Sequence, residues 1–378
     1  MELGLSDTQE MFLDTTCKLL DERSGLTRLR ELIDEPDGFD RAVWSQGGEL
    51  GWYAMLVPEK YGGGSVSDNG LADAALVAEA MGARVHPGPF LATNVVAFAL
   101  SEYGTDDQKE RFLPGLAAGT TIGTWAYAEG DSDWSTDGSG LRATPTGDGF
   151  LLDGTKSYVQ DGVAADLMVV SARTPDGPIE VLVPTEASGV TRQPLESLDL
   201  GRRLAEVTFT GTPVGPADVV AAGGVAAEAI ERQLQVALVL QCAETNGATE
   251  AGLDMTVEYA KERVAFGRPI GSYQALKHRM ADHRMWLEGS WATTAYAAAS
   301  VHGRRPDARA AARVAKAHVG HWSTQILHDC IQLHGGIGMT WEYDLHVFFR
   351  RAISNEVLYG APYEHMRHLV DLAEEVAG

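Results

Sequence analysis

Residues 259–282 read YAKERVAFGRPIGSYQALKHRMAD, and the fold is decided there. The helical spacing of Leu253, Val257 and Ala260 runs on to about Arg263, where Gly267 and Pro269 end it. A second helix starts near Ser272. The turn between them offers Arg263, Phe266 and Arg268 together, two cations beside an aromatic face. That set suits a phosphate-bearing ligand with a planar ring. It is equally the composition of an ordinary Gly-Pro turn with solvated arginines.

Downstream, Gln332–Thr340 reads QLHGGIGMT. Gly335-Gly336 lets backbone approach a ligand closely and exposes N–H groups to phosphate oxygens. Gln332 both donates and accepts. A helix C-cap accounts for the glycines as well. Between these stretches Ala315, Val319, Trp322, Ile326, Cys330 and Leu333 keep a helical stripe, as do Ile230, Leu234, Ala237 and Leu238 upstream. Met366, Leu369, Val370 and Ala373 suggest a closing helix, and long Ala-rich helices of this kind suggest a four-helix bundle.

Outward toward the N-terminus the texture changes twice. From about Thr121 to Val220 short β-prone runs appear (Phe150–Leu152, Leu167–Ser171, Ile179–Val183, Val207–Thr210). Gly-Asp and Pro-Asp-Gly turns separate them, the mark of an antiparallel sheet or small barrel. Before that, Ser6 and Glu10 mark a helix start with an amphipathic run through Leu20. Phe39–Leu50, Asn69–Met81, Phe90–Glu102 and Asp106–Ala117 are further helices. Breaks fall at Pro58, Gly62-Gly63-Gly64 and Pro87-Gly88-Pro89. The expected architecture is an α+β multidomain chain: a helical domain over 1–120, a β-barrel or antiparallel sheet over 121–221, and a helical bundle over 222–378.

The chain has 378 residues and a net charge of −23, which disfavours nucleic acid and anionic membrane surfaces as partners. No apolar stretch reaches the roughly 20 residues of a membrane span. The start, MELGLSDTQEMF, lacks the basic and apolar regions of a signal peptide. Cys17, Cys242 and Cys330 form no CxxC pair, so reduced thiols in a cytoplasmic protein are expected. His318 and His321, three residues apart on a helix, lack a carboxylate or Cys to complete a metal set.

Taken together the stretches resemble the acyl-CoA dehydrogenase family. Its bundle carries RxxFGxPI…Q…KH…AD and QxxGGxGxT; VPEKYGGG (Val57–Gly64) resembles its opening domain, and LLDGTKSYV…ADLMVVSAR (Leu151–Arg173) its middle sheet. The resemblance covers nearly the whole chain in order. It implies FAD as cofactor and an acyl-CoA thioester as substrate, with a base taking the α-proton while the flavin N5 takes the β-hydride. It also implies a homo- or hetero-tetramer and an electron-transfer flavoprotein as acceptor. The residues a chain of this family offers to a neighbour's FAD are Arg263, Phe266, Gln332, Gly335 and Gly336.

The pattern departs at the chain's own flavin. The family's TEPxxGSD loop becomes Ala128–Asp133, without the Thr, and its Trp-Ile-Thr/Ser becomes Tyr158-Val159-Gln160. Ser132 and Gln160 remain as hydrogen-bond donors and Tyr158 as a stacking ring, or all three are plain strand and loop residues. Tyr359 stands where many relatives carry the base Glu. The alternative Glu position, on the first bundle helix, falls near Ala237. Glu244, seven residues on, lies two turns further on nearly the same face. Burial there is expected to raise its pKa and make it the candidate base; a packing role is the alternative, and Glu356 is a weaker candidate. Residues facing another subunit's FAD survive, while those holding the chain's own flavin are altered. Some acyl-CoA dehydrogenases of bacterial steroid breakdown are similar, with two kinds of subunit and fewer flavins than chains. A non-catalytic partner subunit, or a flavin oxidase or monooxygenase on this fold, are the competing readings.

Overall fold

A computed structural model describes residues 4–130, 134 and 140–377. Six helices come first: α1 (Asp7–Arg23), α2 (Leu26–Leu32), α3 (Arg41–Glu49), α4 (Gly70–Gly82), α5 (Phe90–Tyr103) and α6 (Asp106–Ala117). Ser6 caps α1 in a capping box, with Gln9 rather than Glu10 as its second member. Asn69 caps α4, Thr105 and Gln108 box the start of α6, and Asp40 caps α3. α4 and α5 are apolar almost all round, so they are buried on every side and form the middle of this region.

Strands follow: β1 (Gly123–Ala126), β2 (Arg142–Thr146), β3 (Gly149–Gln160), β4 (Leu167–Thr174), β5 (Gly177–Pro184), β6 (Val190–Leu195), β7 (Leu204–Val214) and β8 (Val219–Ala222). The sheet runs β6-β7-β3-β2-β4-β5-β8. Its long pairings are antiparallel, but β1 joins β4 in parallel, Gly123 opposite Leu167 through Ala126 opposite Val170. A bulge in β3 between Lys156 and Val159 breaks its register with β7 and leaves Tyr158 at φ 55.

The remaining helices are α7 (Gly224–Glu262), α8 (Gln274–His302), α9 (Ala308–His334), α10 (Leu345–Val357) and α11 (Pro362–Ala377). α7 has 39 residues and is therefore about 58 Å long. Its middle, from Gln233 to Thr249, is buried at every residue except the partly covered Glu244, because α4, α5, α8, α9, α10 and β5 all pack on it. The main apolar core accordingly runs from Trp52 and Phe98 through Trp125 and Leu182 to Val236 and Ala312.

Two glycines set the α4–α7 crossing. A methyl group added at Gly82 would lie 1.9 Å from the Glu244 carbonyl oxygen, and one at Gly247 would lie 2.0 Å from the Glu79 carbonyl oxygen. The two backbones touch, so neither position has room for a side chain. Gly247→Ala is expected to lower the unfolding free energy by about 1–3 kcal/mol, read from urea denaturation. Gly224→Ala, at the open start of α7 with nothing within 4 Å of its added methyl, should be neutral or slightly stabilising.

Candidate functional site

The first group of candidate residues lies at one exposed end of the bundle. α7 stops at Glu262, and Val264–Ala265 pair with Arg268–Pro269 in a two-stranded hairpin. Its tip residues, Phe266 and Gly267, have φ of 53° and 80°, so both turn positions are left-handed. The hairpin is braced by Tyr273, whose hydroxyl donates to the Ala265 carbonyl at 3.0 Å, while the Arg268 guanidinium sits 3.9 Å over the Tyr273 ring. The Phe266 ring at the tip is 99% exposed. The braced turn thus holds an apolar ring out in solvent, open to contact.

α9 ends beside this hairpin. The His334 ring stacks on Tyr259, one turn before Arg263, at 4.2 Å between centroids, and its Nε2 lies 3.0 Å from the Tyr343 hydroxyl. Gly335 follows at φ 66°, with open space where its side chain and that of Gly336 would be. Arg263, Phe266, Gln332, Gly335 and Gly336 are all exposed here, and the structure brings the two motif segments to one end of the molecule. The Arg263 guanidinium has no carboxylate within ion-pair distance among the described residues. A guanidinium, bare backbone and an aromatic face fit the diphosphate and adenosine end of a dinucleotide.

The second group lies inside, where β1, β3, α7 and α10 meet. Tyr359 follows α10 at φ 64° and is buried. Burial pushes its phenol well above the ordinary range. Its ring lies 6.1 Å from Trp125 and 5.4 Å from Trp134. Trp134 also meets Tyr127 and Tyr158, and Trp125 stacks on Tyr127 at 4.2 Å. Tyr158 therefore faces the chain's own tryptophan. The loop carrying Tyr359 is clamped: buried Lys316 donates to the Leu358 carbonyl at 2.8 Å, and His365 Nε2 donates to the Tyr359 carbonyl at 2.9 Å. Burial and the nearby Lys316 push the His365 imidazole down to about 3, which keeps it neutral.

Glu244 stands one layer deeper and is not the raised-pKa carboxyl expected of it. Its Oε2 accepts from Arg202 and from Asn355 Nδ2 at 2.7 Å, and its Oε1 accepts from Arg351 Nη1 at 2.8 Å. Burial alone would raise the carboxyl, but the Arg202 and Arg351 guanidiniums and the Asn355 amide outweigh it and hold Glu244 below the usual range. Arg351 and Arg202 also pair with buried Asp199, whose carboxyl is lowered for the same reason. Gln160 belongs to this network: its side-chain oxygen accepts from Arg202 Nη1 at 3.1 Å, while its Nε2 has no partner. Asp161 is the exception. Desolvation pushes it up to about 7 despite the neighbouring Arg202, Arg203 and Arg351.

Ser132 lies outside the described residues. The start of its loop is closed by Glu129, which takes a bond from Lys156 Nζ at 2.6 Å and from the Leu141 N–H at 2.8 Å. Glu356 is half-buried on the side of α10 that faces Thr324 and Lys316 of α9, with its carboxyl raised by desolvation. Asp199, Arg202, Arg351 and Asn355 were missed by reading the sequence. The signal was present for two of them. Arg351 and Asn355 are four apart on the apolar side of α10, among Val347, Phe348 and Ala352, where a charged residue requires a buried partner.

Comparison with known proteins places the chain in a family. Residues 6–120 match the family described as acyl-CoA dehydrogenase, N-terminal domain, and residues 227–371 match acyl-CoA dehydrogenase, C-terminal domain. The chain is 32% identical to the acyl-CoA dehydrogenase IpdE2 of Mycolicibacterium smegmatis, over 97% of this chain and 98% of that protein. Among solved structures, a chain of the ChsE4-ChsE5 complex from Mycobacterium tuberculosis superposes with a TM-score of 0.88 at 27% identity, covering 100% of this chain and 99% of that one. A chain of the Tcur3481-Tcur3483 steroid ACAD gives 0.88 at 28% identity, covering 98% and 99%.

Two substitutions in the inner network should show opposite pH trends. Glu244→Gln leaves two buried guanidiniums short of one anion and should cost about 3 kcal/mol or more near neutral pH. Because the Glu244 pKa is lowered on folding, its stabilisation is present above its ordinary value of 4.5 and is lost as pH falls through the depressed value. The penalty of the substitution therefore shrinks in acid. Asp161 titrates upward from 3.8 to about 7 on folding, so its contribution is full below 3.8 and lost as pH rises through about 7. Asp161→Asn, which suits the left-handed φ of 51°, should gain on wild type between pH 5 and 7.5. Urea unfolding across this range checks both signs.

Proposed function

The chain belongs to the acyl-CoA dehydrogenase family, FAD-dependent oxidoreductases acting on acyl thioesters, and we propose that it is one subunit of a hetero-oligomeric member, completing the FAD site of a different subunit. The observation that carries this reading is a contrast. The residues for a neighbour's FAD stand bare at one end of the bundle, while the corresponding inner region is committed to the chain's own side chains.

FAD, when bound, supplies the hydride acceptor. Arg263 would hold the diphosphate by charge, the Gly335-Gly336 backbone would approach it closely, Gln332 would add a side-chain hydrogen bond, and Phe266 would cover an adenosine face. All five residues are exposed and of the required chemistry, so the nucleotide end fits. The ring end does not fit equally well. Tyr158 packs on Trp134, and the Gln160 carboxamide is turned to Arg202.

The α-proton of the thioester needs a base near neutral pH. Tyr359 is a phenol raised further by burial. Glu244 is an anion held by two guanidiniums, and a proton placed on it would cost their pairing. Neither suits the task, so the base is assigned to the partner subunit. Likeness to the ChsE4-ChsE5 complex and to the Tcur3481-Tcur3483 steroid ACAD supports an assembly of two chain types and a bulky, ring-bearing acyl-CoA as substrate. An electron-transfer flavoprotein is the proposed electron acceptor.

Produced alone, the chain should carry little flavin and should not be reduced by acyl-CoAs. Co-produced with a partner acyl-CoA dehydrogenase subunit, it should form an assembly with fewer flavins than chains, counted by absorbance and native mass. Arg263→Ala in this chain should then weaken FAD retention about tenfold, the loss of one charge-assisted phosphate contact. A full flavin on every chain, with turnover by this chain alone, would refute the proposal and return Glu244 to consideration as the base.

A further inference from the structure

A cavity of about 350 Å³ opens between α4 and α8. Ala72, Ala75 and Leu76 of α4, Ala243 of α7, and Ala295 and Ala298 of α8 line it. All but Leu76 end in a single methyl group, which leaves the space between the helices open. Of the polar lining residues, three are occupied elsewhere. Gln9 bonds Ser6 and Asp73, Asn69 accepts from the Ala72 N–H, and Thr294 bonds Ser290 and Asn246. The fourth is Glu79, two turns after Ala72 on the same face of α4, about 10 Å along the helix.

Glu79 is held in place by its backbone, whose carbonyl oxygen lies against Gly247 at the α4–α7 crossing. Its side chain is half-buried, not closed off. Burial and the Glu250 carboxylate of α7 push its carboxyl up to about 7, and the Trp291 indole offsets them only in part. Among the described residues no cation pairs with Glu79. Arg284 of α8 pairs with Glu250 and Glu288 and lies 4.6 Å over the Trp291 ring. Trp291 also lines the cavity, and its Nε1 completes no hydrogen bond. A carboxyl at one end of an apolar slot, with a second carboxylate beside it and no counter-ion, is short of a cation.

We propose that this cavity binds a small primary amine as its ammonium ion, with Glu79 as counter-ion and the apolar body laid along the alanines of α4 and α8. An ammonium has three donors and no acceptor, which matches an unpaired carboxylate. It relieves the negative charge that Glu79 shares with Glu250, whereas a neutral alcohol of the same shape does not. The net charge of −23 draws cations toward the molecule. An apolar cavity of roughly 150 Å³ takes up benzene, so this larger one has room for a benzene ring and a short amine-bearing arm. The cavity shares no lining residue with the exposed hairpin, the inner rings or the Glu244 network. Its test therefore does not depend on flavin content or on a partner subunit.

The experiment is calorimetric titration of the whole chain at about pH 8, where Glu79 is ionised, with 2-phenylethylamine and with 2-phenylethanol as the neutral analogue. Wild type, Glu79→Gln and Ala295→Phe are compared. The amine should bind wild type at one site, at least about tenfold more tightly than the alcohol, and raise its melting temperature. Glu79→Gln keeps the shape and removes a half-buried charge beside Glu250, so it should fold. It should bind the amine about tenfold more weakly and the alcohol within about twofold of wild type. Ala295→Phe, at an exposed position of α8, fills the slot and should bind neither. Should Glu79→Gln fail to fold, the preference of wild type for amine over alcohol and the loss of both in Ala295→Phe decide together. No amine binding to wild type, equal binding of amine and alcohol, or unchanged amine binding by either variant overturns the proposal.

Discussion

Three parts of the chain meet at Glu244. Its backbone carbonyl lies against Gly82 at the closest approach of α4 and α7, and its carboxylate joins Arg202 from the loop before β7 to Arg351 from α10. Removing either side would be felt on the other. A bulkier residue at Gly82 would push α7 away from α4, and the carboxylate would move out of reach of the guanidiniums. The network is electrically close to balanced, with Arg202 and Arg351 against Asp199 and Glu244, and that balance is what permits four ionised groups to sit in the interior. A buried pair of this kind gives weak net stability but a large penalty when broken. Its value here is geometric, since it fixes how the first helices, the sheet and the bundle sit on one another.

The same network explains why burial was a misleading guide to chemistry. A carboxyl among apolar residues in VALVLQCAETNGA reads as a candidate for a raised pKa, because desolvation opposes charge. The partners that reverse the sign come from residues 202, 351 and 355, more than 40 positions away in each case, and local sequence does not show them. The helices were legible where capping and punctuation are local: Asp106–Ala117 follows its Thr105 cap, and Asn69 stands at the start of α4. β1 was not, because its partner β4 lies some 40 residues on in a parallel pairing that no turn signal announces. β2, β6 and β8 are short or half-exposed strands with little apolar alternation, and α2 has only seven residues. The two motif segments were legible as exposed turns because Gly267 with Pro269, and Gly335-Gly336, are local punctuation that ends their helices.

The inner aromatic group has a consequence for access. Trp125, Tyr127, Trp134, Tyr158 and Tyr359 form a continuous set of rings across the junction of sheet and bundle. Ring contacts of this kind are favourable beyond their buried area. Opening the junction would expose several large rings at once, with the clamps from Lys316 and His365 resisting any movement of the Tyr359 loop. Even the left-handed backbone of Tyr359, which is strained for a bulky residue, is held in place by these two bonds. The interior thus behaves as packing, whereas the hairpin end of the bundle behaves as a surface.

Charge placement supports the same division. In a chain of net charge −23, a guanidinium meets carboxylates by default, and most of the interior and helix-surface arginines do so: Arg28, Arg30, Arg84, Arg279, Arg284, Arg313 and Arg351 each pair with an acidic side chain. Arg263 and Arg268 depart from this. Among the described residues the first has no carboxylate within ion-pair distance, and the second lies over the Tyr273 ring, next to a phenylalanine left bare at the tip of a braced turn. Two arginines outside any ion pair among the described residues, on a braced turn and beside open glycine backbone, are the cations this end of a strongly negative molecule offers. On the proposed reading they meet a phosphate-bearing ligand that the net charge of the whole chain repels.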